Sequence, residues 1–350
     1  YNCKGFNGTL TLSNNLKVIG EYAFEQCSGF TGDLTLPNSL TTIGSSAFEE
    51  CSGFSNLKLS NALREIGLYA FRSCTNLNKD SENPSQVTLP ESLEKIGRYA
   101  FNSCYQIKTV NFQSLPEGIS VNLCGQKKTV SLSDNSFISP KASGTVNAIS
   151  YTRQMSNDWG TLVLPYSLTL TGNEPYRLYA ISAVSENELV LKQLDGEVAA
   201  GTPCVVKRNG SESELTFGND DAELNMTIDG KTIGDMTFSG TYWAKEVTNG
   251  YVIAKDCFWN VAELMKNKPE TVKGAKVSPF RAWLDGNVAS GPAQLAMRID
   301  GSTTGINALD ALNDAEAEYY DLSGKRLHEP QKGVNIVRMK SGKTKKVIIR

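Results

Sequence analysis

Few residues in this sequence could carry out acid–base or nucleophilic chemistry. The 350 residues include one histidine, His328. A Ser-His-Asp or Cys-His catalytic arrangement needs a histidine among its members, so none is expected in the body of the chain before that residue. Zinc is also not expected, because no Cys-x-x-Cys pair occurs and His328 has no ligand-forming neighbour in the sequence. The residue inventory therefore predicts no catalytic residue and no metal site.

Two other patterns could bind an ion or a phosphate. Asn219-Asp220-Asp221, with Glu223, offers the oxygen ligands that calcium prefers, but we favour a solvated turn. The run Gly125-Gln126-Lys127-Lys128-Thr129 lacks the glycine-spaced segment that precedes the lysine of a phosphate loop. A glycosidase pair of carboxylates stays open, because the separation of acidic residues cannot be read from a sequence. We expect no bound cofactor.

Five of the eight cysteines recur at a nearly constant spacing. Subtraction of the residue numbers gives steps of 24, 24, 23 and 30 along the series Cys3, Cys27, Cys51, Cys74 and Cys104. Equivalent side chains of stacked repeats lie parallel, which is poor geometry for a disulfide. The spacing therefore predicts a row of buried free thiols that pack as small hydrophobic groups. A redox or metal-binding role is the alternative.

These cysteines close a sequence repeat whose clearest copy runs from Leu34 to Cys51. Its pattern, L-x-L-P-x-S-L-x-x-I-G-x-x-A-F-x-x-C, occurs four times, with an insertion from Asn78 to Pro84 before the fourth copy. The alternation Leu-x-Leu predicts a short strand with one buried face, and Gly44 is expected at a position with positive φ. Ala47-Phe48 is expected in a helical or irregular segment. One unit is too small to fold alone, so the units are predicted to stack into a solenoid.

The repeat pattern resembles the leucine-rich repeats of the BspA-like bacterial surface proteins, and the resemblance covers Cys3 to about Leu115. The resemblance implies a curved solenoid with a parallel sheet on its inner face, in an exported protein used for binding. Members of that family are usually described as adhesins or host-interaction proteins, and no catalytic residues come with the resemblance. Residues 1–6 match the end of a repeat, so we expect the chain to begin inside one.

Polar residues alternate with the apolar strand residues of each repeat. If the apolar residues face the core, the polar ones must face outward, where they would form a row across the stacked strands. Threonine is also a good strand former on a solvated face, which is the alternative explanation. The hypothetical ligand-binding residues of this inner, concave face are Thr11, Asp33, Thr35, Asn56, Lys58, Gln86, Thr88, Thr109 and Asn111.

The sequence after the repeats consists of short apolar runs separated by turn pairs such as Asp195-Gly196 and Asn249-Gly250. These pairs favour tight hairpins and predict an antiparallel β-sandwich, with one short helix near Val261 to Lys266. The four tryptophans are expected in its core or between its sheets, and a platform for sugar binding is the alternative. The phrases that resemble an all-β domain common near the C-termini of the same class of surface proteins are residues 150–153, 159–166, 200–203 and 279–282.

The last segment predicts two hairpins, around Ser323-Gly324 and Ser341-Gly342. Through the phrase at residues 320–326 it resembles the short C-terminal sorting or anchoring modules of exported bacterial proteins. A basic membrane-contact patch and strand-edge lysines that prevent aggregation are the alternatives. The predicted fold is α+β to mainly β, with a leucine-rich repeat solenoid at 1–117, a β-sandwich at 118–303 and a small C-terminal β-hairpin module at 304–350.

Charge and hydropathy narrow the class of partner. A net charge of −2 gives no basic surface for nucleic acid, and no apolar run is long enough to span a bilayer. The sequence predicts a non-catalytic secreted or cell-surface adhesion protein, placed outside the cell or on its outer surface. Its repeats would recognise a protein or glycan ligand, and its tail could attach it to the envelope. The alternative is a glycan-active enzyme or accessory protein with the repeats as a docking arm.

Overall fold

The fold is taken from a computed structural model of the chain. It describes residues 5–79, 85–119, 125–184, 187–269, 271–286, 291–300, 318–321, 325–327, 333–338 and 344–349. The protein is mostly β, and the described part contains one short helix, α1 (Val261–Met265), where the sequence predicts one. Predictions for Cys3, Cys124, His328 and the two Ser-Gly turns of the tail lie outside the described residues.

The second, third and fourth repeats each contribute two strands, one from the Leu-x-Leu segment and one that ends at the isoleucine before the glycine, whereas the first repeat contributes only the latter. The short second strands pair in parallel in the order β1-β3-β5-β7. A two-residue strand is too short to show an alternating pattern, so the sequence indicates only a turn there. The strands of this segment are β1 (Val18–Ile19), β2 (Gly32–Thr35), β3 (Thr42–Ile43), β4 (Phe54–Lys58), β5 (Glu65–Ile66), β6 (Gln86–Leu89), β7 (Lys95–Ile96) and β8 (Thr109–Phe112).

The Ala-Phe segment of each repeat folds as successive turns and not as a helix. In the second copy two non-glycine residues, Ser46 and Glu50, adopt φ of 51° and 61°. The phenylalanines of the four copies stack inside the repeat segment, with ring centroids 5.2, 5.5 and 5.2 Å apart along the series Phe24, Phe48, Phe71 and Phe101. Ring stacking of this kind supplies both buried area and a fixed spacing between repeats.

The sequence analysis gave the wrong reason for the repeated glycine. Gly44 does not have positive φ. A Cβ atom added to Gly67 would lie 2.5 Å from the backbone nitrogen of Ser45, and one added to Gly97 would lie 2.3 Å from that of Leu68. Stacked repeats therefore approach each other backbone to backbone at this position, and only glycine leaves the room.

The cysteines at the end of each repeat are buried free thiols, as predicted, for Cys27, Cys51, Cys74 and Cys104. They are more than small hydrophobic groups. Each of the last three donates its S–H to the phenylalanine carbonyl oxygen of the preceding repeat, at Sγ–O distances of 2.9 Å for Cys51 and 3.0 Å for Cys74 and Cys104. Burial raises the pKa of Cys51 and Cys104 to about 12, so these thiols stay protonated at neutral pH.

The insertion before the fourth copy interrupts the sheet formed by the Leu-x-Leu strands. β2 pairs with β4, and β6 pairs with β8, but no pairing joins β4 to β6 in the described part. Asn78, which is buried, fills the gap: its side chain accepts a hydrogen bond from the Leu57 nitrogen at 3.1 Å and donates one to the Gln86 carbonyl. The side-chain amide of Asn78 thus links β4 and β6 through hydrogen bonds that a strand between them would otherwise make.

The strands after the repeats first continue the repeat sheet. β9, β10 and β17 add to β8 and β6 in the order β17-β10-β9-β8-β6, and all neighbours are parallel except β10 and β17. These strands are β9 (Lys127–Leu132), β10 (Gly144–Gln154), β11 (Trp159–Leu162), β12 (Leu168–Leu170), β13 (Tyr176–Val184), β14 (Glu188–Gln193), β15 (Gly196–Val198), β16 (Cys204–Arg208) and β17 (Glu214–Leu224).

One hydrophobic core accompanies this sheet, and it extends from Ile19 in the first repeats to Phe280 far along the chain. Within it the buried row Leu89, Phe112, Val130 and Ile149 crosses four neighbouring strands in register. The boundary that the sequence predicts between residues 117 and 118 therefore falls inside a continuous sheet and a continuous core. The boundary itself stays a prediction.

A ten-stranded sheet forms most of the remaining structure, in the order β11-β16-β13-β14-β25-β22-β21-β24-β19-β18. Tyr179 and Phe238, from opposite halves of the sheet, share one core, so the sheet curls onto itself. It is mixed where an antiparallel arrangement was expected, because β14 and β25 are parallel. The later strands are β18 (Lys231–Ile233), β19 (Met236–Thr241), β20 (Lys245–Val247), β21 (Tyr251–Ala254), β22 (Cys257–Asn260), β23 (Ala275–Val277), β24 (Arg281–Asp285) and β25 (Gln294–Ile299).

The described strands of the tail pair only with each other, in the antiparallel order β27-β26-β28-β29. They are β26 (Glu318–Tyr320), β27 (Arg326–Leu327), β28 (Gly333–Arg338) and β29 (Thr344–Ile349). The β26–β27 and β28–β29 pairings are those that the sequence predicts. Within the described part of the chain, no helix is both long and apolar enough to cross a membrane.

Candidate binding surface

The outward side chains of β2 and β4 form the first part of the polar row that the sequence predicts. The parallel register places Asp33 beside Asn56 and Thr35 beside Lys58. The Asn56 amide donates to the Asp33 carboxylate at 2.7 Å, and the Lys58 ammonium lies 3.7 Å from the same carboxylate. Leu34 between them is fully buried. The alternation of exposed polar and buried apolar residues is therefore as expected.

The second part of the row lies on β6 and β8. Here Gln86 is beside Thr109 and Thr88 is beside Asn111. The Asn111 amide donates to the Gln86 side-chain oxygen at 3.0 Å, and Asn111 accepts a hydrogen bond from Thr129 of the next strand. The eight predicted residues from Asp33 to Asn111 thus face outward in two sets, separated by the gap at Asn78.

Thr11 is placed differently from the other predicted residues. It is exposed but lies in a segment without strand structure, so it does not stand in register with Asp33 or Thr35. The β-pairing described between residues 7–12 and the next repeat is an isolated parallel bridge between Gly8 and Phe30. We therefore correct the sequence-based placement of Thr11 in the row.

The structure extends the row well beyond the repeats. The polar face, as we use the term, comprises the outward residues of the five-stranded sheet. Across β9, β10 and β17 they continue with Lys127, Thr129, Ser131, Ala148, Ser150, Thr152, Gln154, Glu214, Thr216, Gly218 and Asp220. The hydroxyl groups of Thr152 and Thr216 form a hydrogen bond of 2.9 Å, and the Gln154 side-chain amide donates to the Glu214 carboxylate at 2.6 Å. The sequence analysis did not bring these residues together; it weighed only Lys127, Thr129 and Asp220, as parts of two separate phosphate- or ion-binding patterns.

A shallow depression of about 420 Å³ lies on the side of the polar face that is formed by β17, β10 and β9. It spans β9, β10 and β17, where short side chains replace the longer ones found towards the repeats. Gly218 is opposite Ser150, and Asp220 is opposite Ala148. One carboxylate, Asp220, borders it. Among the described residues no group of three or more His, Cys, Asp or Glu side chains could hold a metal ion.

The back of this surface is fixed by a partly buried polar cluster. Arg281 of β24 donates to both carboxylate oxygens of Asp134, at 3.0 and 2.9 Å, and to the hydroxyl of Tyr151 on β10. Tyr151 in turn donates to Asp134. Burial raises the pKa of Tyr151 to about 12, so this hydroxyl remains a donor at neutral pH. The cluster ties the polar sheet to the ten-stranded sheet.

Three of the short segments that the sequence analysis likens to a known all-β domain contact one another in this region. The buried Arg153 donates to the Thr161 carbonyl at 2.6 Å, and Thr161 exchanges hydrogen bonds with the backbone of Ala282 at 2.8 and 2.9 Å. The rings of Tyr151 and Phe280 lie 4.3 Å apart. The segments 150–153, 159–166 and 279–282 therefore meet at one structural junction.

The tryptophans are only partly in the core. Trp283 is buried, Trp159 and Trp259 are half-buried, and Trp243 is exposed. The Trp243 indole nitrogen donates to the carbonyl oxygen of Ile138 at 2.8 Å, which holds the ring at the surface. The prediction of core positions is therefore wrong for Trp243.

The comparisons with known proteins concern the repeats. The chain is similar to the crystal structure of a T. pallidum leucine rich repeat protein, with 26% identity, 38% of this chain and 62% of that chain covered, and a TM-score of 0.31. For a leucine-rich repeat protein from Bacteroides ovatus the identity is 25%, the coverage 39% and 36%, and the TM-score 0.30. The chain thus spans less than two thirds of either protein. The comparison with curated proteins gives no match.

The family comparison covers more of the repeat segment than the four copies found by inspection. Residues 1–126 match the family model described as BspA type Leucine rich repeat region, in six copies. The match ends at Gln126, immediately before β9. Leucine-rich repeats commonly mediate protein interactions and occur in binding and surface proteins. The first 126 residues of this chain are therefore similar to leucine-rich repeats of the BspA type.

Proposed function

We propose that this chain is a non-catalytic binding protein that acts outside a bacterial cell or on its outer surface. Its ligand is a protein or a glycan, recognised through the polar residues of β2, β4, β6 and β8. The observation that carries this proposal is the open polar row from Asp33 to Asn111, whose residues stand in register within each of its two sets. The apolar residues that alternate with them are buried or, at Leu57, partly buried. Extended polar faces of stacked repeats are common sites of partner binding.

The proposed organisation has a repeat solenoid at 1–117, a β-sandwich at 118–303 and a C-terminal module at 304–350. Parallel pairing of equivalent strands and stacking of equivalent phenylalanines support the solenoid. The four described strands of the tail pair only among themselves, which supports a separate small module. We propose that this module attaches the protein to the envelope. The five-stranded sheet contains strands of both the proposed solenoid and the proposed sandwich. β9 and β10 therefore hold β6 and β8, which would contact the ligand, in position.

An enzymatic role is less well supported than binding. Glycoside hydrolysis generally requires two carboxyl groups about 5 to 10 Å apart on either side of the substrate. The depression on the polar face is bordered by one carboxylate, Asp220. The glycan-active alternative therefore has no observation of its own in favour, and we propose that the protein lacks catalytic activity.

The proposal is tested with the whole chain on immobilised extracellular-matrix proteins and on an oligosaccharide array. The test variant replaces Thr35, Lys58 and Thr88 together by Glu, which changes the net charge by −4. A matched control changes Lys17, Ser28 and Asn61 to Glu, because these exposed residues lie outside the four strands and also change the charge by −4. The test variant should lose at least tenfold in binding, while the control binds normally.

Stability is the second readout of that experiment. All three test positions are exposed, so the midpoint of thermal unfolding should move little, although the carboxylate introduced by Lys58→Glu would lie near that of Asp33. Absence of binding to every immobilised protein and oligosaccharide by the unmodified chain would refute the proposed function. Equal losses in the test and control variants would show a general charge effect and would refute the assignment to the repeat face.

A further inference from the structure

The most distinctive part of the polar face lies outside the repeats. The depression is lined on β9 by Thr129 and Ser131, on β10 by Ala148 and Ser150, and on β17 by Gly218 and Asp220. Its 420 Å³ falls within the range of roughly 300–1,000 Å³ that is usual for small-molecule sites. The depression is built by three strands that are distant in the sequence: Thr129 and Asp220 are 91 residues apart.

On the central strand of this site, β10, only side chains are available to a ligand. β10 is paired on both sides, with β9 and with β17, so its backbone donors and acceptors are used within the sheet. The side chains of Ser131, Ser150 and Asp220 make no hydrogen bond or ion pair with any other described residue. Two hydroxyls and one carboxylate therefore face solvent in this shallow depression.

The surroundings of the depression discriminate between classes of ligand. Protein interfaces usually contain buried aromatic or aliphatic anchors at their centre. The exposed large apolar side chains of the described part are Phe6, Val18, Tyr22, Leu68, Tyr105, Trp243 and Val272, and none belongs to the polar face. A hydroxyl-rich ligand needs no such anchor, because it exchanges hydrogen bonds with water for hydrogen bonds with hydroxyl, amide and carboxylate groups.

We propose that this depression is a carbohydrate-binding subsite, in which Asp220 accepts hydrogen bonds from sugar hydroxyls and Ser131 and Ser150 exchange hydrogen bonds with others. The inference rests on the proposed binding function and names its ligand class. The paired residues Thr152 and Thr216, then Gln154 and Glu214, continue the polar surface along β10 and β17. They provide a track for further sugar units of the same glycan chain.

The test uses the whole chain and an array that carries neutral hexasaccharides of glucose, mannose, galactose and N-acetylglucosamine together with sialylated oligosaccharides. Ser150→Gln fills the floor of the depression, and Asp220→Asn removes the carboxylate without changing its size. Thr145→Gln and Glu223→Gln are matched controls. They change exposed residues that face each other farther along the same two strands, away from the depression. Each test variant should reduce the array signal at least tenfold, and each control less than twofold.

Several outcomes would overturn the inference. They are no binding of the unmodified chain to any oligosaccharide, or binding unchanged in Asp220→Asn and Ser150→Gln. If the chain binds matrix proteins but no oligosaccharide, this inference fails and the proposed function stands. If it binds neither, both fail. Because Ser150→Gln could disturb folding, thermal unfolding is measured for every variant, and the isosteric Asp220→Asn decides the result alone if Ser150→Gln is unfolded.

Discussion

The guanidinium of Arg281 donates a hydrogen bond to the hydroxyl of Tyr151, a residue 130 positions earlier in the chain. Through this contact and the ion pair with Asp134, the ten-stranded sheet holds the sheet that bears the polar face. The Arg281 side chain is 15% exposed and that of Asp134 is 38% exposed. Such a partly buried charged cluster is expected to matter more than the surface ion pairs elsewhere in the protein.

Arg281→Met should lower the free energy of unfolding by about 1–3 kcal/mol, because Asp134 and the buried Tyr151 lose a charged donor. Urea denaturation followed by tryptophan fluorescence measures the change. Arg64→Met is the matched control, since the Arg64–Glu94 pair is 62% and 40% exposed and should contribute less than about 1 kcal/mol. Equal effects of the two substitutions would contradict the structural role assigned to Arg281.

Gly67→Ala should destabilise the repeats by about 3 kcal/mol or more, because the new methyl group would overlap the backbone of Ser45 and Gly44. The same change at Gly20 is the control. A Cβ atom there meets no atom within 4 Å, and its φ is not positive, so the expected change is below about 1 kcal/mol. Thermal unfolding of both variants measures the difference, and similar melting temperatures would refute backbone contact as the reason for glycine.

The buried thiols should make stability fall at alkaline pH. The pKa of Cys51 and Cys104 is about 12 in the folded chain and near 9.0 when exposed, so the unfolded chain loses these protons first. Stability contributed by the raised pKa is fully present below pH 9 and is lost as the pH rises towards 12. The loss is at most about 1.4 kcal/mol per pH unit for each thiol.

Urea denaturation between about pH 8 and pH 11, with a reductant present, tests this dependence. Buried tyrosines such as Tyr151 and Tyr166 add to the total loss, so the comparison is with a Cys51→Ala, Cys104→Ala variant. That variant should show a shallower slope above pH 9, the ordinary pKa of the thiol. An unchanged slope would show that the two thiols titrate alike in the folded and unfolded chain.

Removal of residues 1–117 should destabilise the rest of the protein. The fragment would lose β6 and β8, leaving an edge of β9 unpaired and exposing buried residues such as Val130. Loss of contacts to a few buried apolar side chains amounts to about 3 kcal/mol or more. Urea denaturation of the fragment and the full chain measures this. A soluble fragment with the midpoint of the full chain would instead support the domain boundary that the sequence predicts between residues 117 and 118.

The structure of the repeat segment could be predicted closely because each of its units contains the same local pattern of residues. Leu34 and Leu36 alternate with Thr35, and the spacing of Cys27, Cys51 and Cys74 fixes the period. Stacking then follows, since equivalent residues must be neighbours. The outward direction of Asp33 through Asn111 follows from the same alternation. For these residues the local sequence determined which side chains are buried and which face solvent.

The reason for the repeated glycine and for the thiol could not be found in the same way. Gly67 is required by the backbone of the preceding repeat, and the thiol of Cys74 by a carbonyl 26 residues earlier. Both requirements are contacts between units. A pattern within one unit shows that a residue recurs, but it does not show which atom of the neighbour that residue meets.

The depression on the polar face was decided only by tertiary structure. Thr129, Ser150 and Asp220 belong to strands that have no common period, and they meet because β9 and β10 continue the repeat sheet and β17 returns beside β10. Tyr151 and Arg281 fix that arrangement from behind across 130 residues. The stacking of the repeats could be derived from the local sequence, because equivalent residues of successive repeats contact one another at a constant spacing. The long-range pairing of non-equivalent strands determined where the sheet continues, since such pairing depends on contacts that no local pattern encodes.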